Sequence, residues 1–224
     1  MKTIAAVAVL GFASAASANF EMAMQTRDFA GGQFTQDLTF QRAGEFFDLP
    51  LKGVIIELEL TANGGEFAID NDGATGGSVE VTYGAEAGLS SADIIIPALN
   101  LNADSTDIFN LDADDEQGGM GAPVFDAGGP DFATLPPLDN VMEMLMQSLA
   151  PAFIPEFEGL GEFDITVEVD QDFDIDGLGA VAFSGSLLQT EGTLKITYLY
   201  APAPGAAALA GIAGFAGLRR RRNA

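Results

Sequence analysis

Cysteine, histidine and tryptophan are absent from this sequence. Without cysteine there is no disulfide framework and no thiolate metal site. Without histidine as well, a Ser-His-Asp triad, a cysteine protease centre and a histidine-ligated zinc are excluded. Tryptophan is missing and tyrosine occurs only three times, so few rings are available to stack on sugars. Positive charge is the other scarcity. Between the two ends of the chain the only basic residues are Arg27, Arg42, Lys52 and Lys195, against thirty-three Asp and Glu. A domain freed of both ends would carry a charge of −29, four basic residues against thirty-three acidic ones. Such a surface repels nucleic acid and anionic lipid, and suits salt water or a cation-rich matrix.

The two ends differ from this acidic body. Met1-Lys2 is a short basic start, and Ile4 to Phe12 is an apolar run of the length of a signal-peptide core. Ala16-Ser17-Ala18 supplies the small residues that signal peptidase accepts, Ala16 and Ala18 at the two selective positions. Residues 1–18 are therefore expected to be a secretory signal rather than a first buried element, with a mature chain starting near Asn19 outside the cytoplasm. At the other end, Pro202-Ala203-Pro204 precedes the oily run Ala206 to Leu218 and the cluster Arg219, Arg220, Arg221 and Arg222. As a helix, Ala201 to Leu218 would rise about 27 Å, enough for a thin bilayer crossing. The arginines would hold the C-terminus on the cytoplasmic side.

Between the ends the apolar residues recur with period two rather than 3.6. Phe34, Leu38 and Phe40 alternate with Thr35, Asp37 and Thr39, and Val54, Ile56, Leu58 and Leu60 alternate with Glu57, Glu59 and Thr61. The same rhythm runs through Val79 to Tyr83, Leu99 to Leu101, Phe163 to Val169 and Leu194 to Tyr200. Asn63-Gly64-Gly65 and Asn71-Asp72-Gly73 supply turn residues. Strands with one wet face and short turns predict an all-β domain over residues 19–200, an antiparallel β-sandwich of jelly-roll-like form. Two stretches break the rhythm. Gly118 to Pro137 is dense in Gly and Pro and is expected to be a long surface loop. Asn140-Val-Met-Glu143 resembles a capping box, which predicts one short inserted helix over Val141 to Leu149, stopped by Pro151. Its methionines and leucines would plug one end of the sandwich or form a Met-rich docking surface.

Candidate sites are sparse. Carboxylate pairs such as Glu57 with Glu59, or Glu156 with Glu158, have the residue types of a glycosidase, but pairs like these arise by chance in so acidic a chain. The expectation is no enzyme, no catalytic residue and no dedicated metal or cofactor. In "VDQDFDIDGLG", Asp172, Asp174 and Asp176 before Gly177 copy the first half of an EF-hand loop. The twelfth position would be Phe183, where a bidentate Glu is needed, and Phe173 and Ile175 continue the period-two pattern. The stretch is therefore either a solvated acidic face or a weak Ca²⁺ site, and "NLDADDEQGG", Asn110 to Gly119, offers the same choice.

Two resemblances add to this reading. The tail, residues 201–224, resembles a PEP-CTERM sorting signal, with Ala203 standing where Glu is usual between the prolines. That resemblance implies processing by an exosortase. "AGEFFDLPLKGVIIELELTANG", "SVEVTYGAEAGL", "LGEFDITVEV" and "EGTLKITYLYAPAPG" resemble the strands of choice-of-anchor E domains over roughly Phe34 to Tyr200. This implies an exported bacterial surface or matrix protein with no established activity. The partners expected are signal peptidase and exosortase during processing, the membrane through the tail before processing, and extracellular polysaccharide or surface proteins afterwards, with no nucleic acid. A structural or adhesive role is expected first, a calcium- or glycan-binding module second, and a carboxylate-based hydrolase last.

Overall fold

A computed structural model describes residues 7–10, 21–114, 125 and 128–201. Its twelve strands are β1 (Val7–Leu10), β2 (Glu21–Gly31), β3 (Phe34–Gln41), β4 (Leu51–Gly64), β5 (Phe67–Asn71), β6 (Gly77–Ser90), β7 (Leu99–Leu111), β8 (Phe132–Leu135), β9 (Leu138–Ser148), β10 (Glu162–Asp176), β11 (Val181–Gly185) and β12 (Gln189–Tyr200). Every pairing is antiparallel. The larger sheets run β1-β2-β12-β4-β9 and β3-β10-β6-β7, and a small third sheet runs β11-β5-β8. The described residues form an all-β antiparallel sandwich.

Period-two alternation produces this arrangement directly, because successive side chains of a strand leave opposite faces. Val54, Ile56, Leu58 and Leu60 of β4 face Tyr198, Ile196, Leu194 and Gly192 of β12, and all are buried. On the other sheet Phe163, Ile165, Val167 and Val169 of β10 are buried beside Phe40 and Leu38 of β3 and Leu89 and Ala87 of β6. These inner faces form one apolar cluster, and each large aliphatic or aromatic side chain in it contributes about 1.5–3 kcal/mol of burial.

Polar groups fasten the sheets where the core meets their rims. The hydroxyls of Tyr198 and Tyr200 donate to the carbonyls of Gln41 and Ala43, at 2.8 and 2.7 Å. Gln25, fully buried on β2, donates from Nε2 to the Gln41 carbonyl and accepts the Gln41 amide on Oε1, so neither end of its amide is wasted. Arg27 donates to the Thr39 carbonyl at 2.8 Å and lies over the Phe40 ring. Arg42 donates to the Glu156 carbonyl and lies over Phe163. These two of the scarce cations therefore serve as clamps on backbone carbonyls.

Two expectations are corrected. Val141 to Leu149 is no α-helix. Residues Leu138–Ser148 are the edge strand β9, paired with β4 from Gly64↔Leu138 to Ile55↔Ser148. Val141 and Leu145 lie opposite Ala62 and Leu58 on the inner face, while Met142, Met144 and Met146 stand outward. The apparent cap does not form, since Asn140 has φ 52° and its side chain donates to the Asp139 carboxylate. The helical turn in this region comes later, as a 3-10 segment over Pro151–Phe157 that buries Phe157. Nor is Gly118 to Pro137 wholly loop: Phe132–Leu135 is β8, added to the edge of β5.

Candidate functional site

Alternation that buries one face of β10 must expose the other. The outer face of the four-stranded sheet carries Asp164, Thr166, Glu168, Asp170, Asp172, Asp174 and Asp176 along this one strand. Asp172, Asp174 and Asp176, read above as half an EF-hand loop, are thus consecutive outward positions of a strand. Their neighbours on β6 are Gly84, Thr82 and Glu80. Gly177 follows with φ 123°, and a Cβ there would lie 2.5 Å from the Ser78 carbonyl, so only glycine fits the exit.

Two rows of this face oppose like charges, Asp170 against Glu86 and Asp176 against Glu80. Direct opposition of this kind destabilises a sheet. Hydroxyls and amides also bind on this face: Gln33 donates to Asp170 itself at 2.6 Å, Thr166 donates to Asp37 at 2.6 Å, and Thr82 and Thr106 share a 2.9 Å hydrogen bond. No lysine or arginine lies on the outward positions of β3, β10, β6 or β7. Among the described residues, no group of three or more Asp and Glu is placed to hold a metal ion. The face is an extended anionic field.

The nominated carboxylate pairs have other surroundings. Glu57 and Glu59 do share the outer face of β4, but Glu57 is ion-paired with Lys195 at 2.6 Å. Glu59 borders an open depression of about 590 Å³ with Asp28, Thr61 and Glu191, over Gly192. Glu156 accepts a long hydrogen bond from the Ile95 amide, and Glu158 caps the 3-10 segment through its own amide.

A second acidic region gave only a faint sequence signal. Asp70 on β5 and Asp131 before β8 are both almost fully buried at the small sheet. The start of the "NLDADDEQGG" stretch is fastened there, Asp112 and Asp114 donating their amides to Pro130 and Gly73. Asn71 holds the same corner, with Nδ2 on the Thr75 and Asp112 carbonyls and Oδ1 accepting the Gly73 amide. The remainder of that stretch lies outside the described residues, as do Ala16, Ala18, Pro202, Ala203, Pro204 and Arg219 to Arg222. Val7–Leu10, within the expected leader, pairs with Met22–Gln25 of β2. Among the described residues no helix is long and apolar enough to cross a membrane.

No family model and no curated protein matches the chain. Among solved structures, that of the infectious bursal disease virus Gx strain is similar at 12% identity and a TM-score of 0.22, covering 80% of this chain and 37% of that one. T=1 particles derived from infectious bursal virus give 12% identity and a TM-score of 0.16, covering 80% and 41%. The chain spans less than half the length of these viral chains, and a likeness at such scores has no bearing on its activity.

Proposed function

We propose that the protein is an exported jelly-roll-like β-sandwich with a structural or adhesive role in a bacterial envelope or extracellular matrix, released from its membrane tail by an exosortase. The observation that carries this reading is where the body ends. β12 is paired on both edges, with β2 and β4, and the Ala201 amide donates to the Pro50 carbonyl at 2.9 Å immediately before Pro202. Whatever is joined after Ala201 therefore pulls on a central strand rather than on a frayed terminus. Pro202 and Pro204 suit neither a central strand nor a helix interior, which keeps the segment extended for a protease. Strand order supports the jelly-roll form: β2-β12-β4-β9 faces β3-β10-β6-β7, and the chain repeatedly crosses between them, as two Greek keys require.

Changing Arg219 to Arg222 to Glu should release a longer, uncut protein into the medium, and Pro202→Ala with Pro204→Ala should leave the protein in the membrane fraction. Secretion and size unaltered in both variants would sink the sorting reading. A calcium- or glycan-binding role is the second reading, favoured by the opposed carboxylates of the anionic face. Calorimetric titration with Ca²⁺ and a glycan array distinguish it from a purely structural role.

A further inference from the structure

Soft metal ligands are nearly absent from this chain, since it has neither cysteine nor histidine. Thioethers are the exception, and β9 concentrates them. Met142, Met144 and Met146 occupy consecutive outward positions of this edge strand and are 59, 54 and 59% exposed. Burial does not account for them, because the inner face of β9 is supplied by Val141 and Leu145. A solvent-facing edge position ordinarily takes a charged or hydroxyl side chain.

We propose that Met142, Met144 and Met146 form a binding site for one soft monovalent cation, Cu(I), held by two or three thioether sulfurs. Thioether sulfur prefers such ions over hard ones. Alternate residues of a strand have Cα atoms about 6.5 Å apart on one face. Methionine is unbranched with three rotatable bonds, so neighbouring arms can bend together. With metal–sulfur bonds near 2.3 Å, two sulfurs on one ion lie about 4 Å apart. The cross-strand neighbour of Met144 is Glu59, whose carboxylate draws a cation to the spot without competing as a soft ligand, whereas Glu57, opposite Met146, is already paired with Lys195. Because β9 is the sheet's last strand, the ion reaches the sulfurs from open solvent.

The test is titration of the full chain with Ag(I), a redox-inert probe of the same ligand preference, in chloride-free buffer. Methionine methyl groups are labelled with ¹³C and followed by NMR. One equivalent is expected to shift the methyls of Met142, Met144 and Met146 ahead of those of Met22 and Met24, and excess Ca²⁺ should leave the shifts in place. Replacing all three with Leu keeps size and apolarity while removing sulfur, and should abolish this first binding event. Met144→Leu alone separates a shared ion from three independent thioethers: a chelate loses at least about tenfold in affinity when its central arm is removed. Unchanged affinity with stoichiometry reduced by a third would overturn the proposal. So would tight binding that survives the triple Leu variant with its melting temperature preserved.

Discussion

The two outer faces of this sandwich obey the same alternation and carry different chemistry. On the four-stranded sheet the outward positions of β10 and β6 hold Asp, Glu, Thr, Ser and Gly with no cation among them, and two rows set carboxylate against carboxylate. On the five-stranded sheet Lys195 neutralises Glu57, and the edge carries thioethers instead of charge. Period two therefore fixes which residues meet water without fixing what they offer it. One face is a hard anionic field with no cation among its outward positions. The other is partly neutralised and ends in soft donors.

Both faces depend on a common core, and the largest expected effect lies there. Ile56→Asp beneath one face, or Val167→Asp beneath the other, places an unpaired carboxylate where the native side chain is 0–1% exposed. A loss of at least about 3–5 kcal/mol should follow, enough to unfold the domain. An unchanged melting temperature in either variant would move that strand's apolar residues to the wet side.

Alkaline pH is expected to weaken both sheets through separate tyrosines. Burial, helped by the hydrogen bond and charge of Asp107, pushes Tyr83 up to about 12 beneath the anionic sheet, and burial also raises Tyr198 and Tyr200 beneath the other. A tyrosine in the unfolded chain ionises near 10. Below that pH both states keep the proton and stability is flat. Above it the unfolded chain releases protons that the folded chain retains, so stability falls as pH rises through the folded value. Urea unfolding between pH 9 and 12 should show this decline, and Tyr83→Phe should remove part of it. An identical slope in that variant would deny Tyr83 its share.

A smaller effect separates the faces by salt. Asp176→Asn with Glu80→Gln should stabilise the protein by about 0.5–1 kcal/mol at low ionic strength, a gain that shrinks as salt screens the native repulsion. The smallest change is expected across the sandwich, where Lys195→Gln breaks a partly exposed ion pair and should cost less than about 1 kcal/mol. If the acidic pair of variants destabilised the protein and Lys195→Gln stabilised it, the contrast between the faces would be reversed.

Most of the core was legible in the sequence because burial on these strands is one-sided. Val54 to Leu60 and Phe163 to Val169 alternate cleanly, and their inward residues are the buried ones. β9 misled because methionine occupies its wet side, so apolar residues on both faces erase the alternation that marks a strand. β2 was hidden for the opposite reason. Gln25 and Arg27 stand on its inner face, made tolerable by Gln41 and Thr39 carbonyls that only the folded chain brings near. The anionic face could be anticipated from Asp172, Asp174 and Asp176. Its opposition to Glu80 and Glu86 is a matter of register between distant segments, which no local pattern contains. Asp70 likewise sits on β5, which β8 and β11 flank from distant parts of the chain.

The central claim, that this acidic sandwich is exported and detached from its tail, is tested most directly by the intact mass of the protein recovered from its native cells. The expected mass lacks residues 1–18 and the segment from about Ala201 onward, with or without an added group at the new C-terminus. A mass that still includes Arg219 to Arg222 would contradict the claim and leave the tail as a permanent anchor.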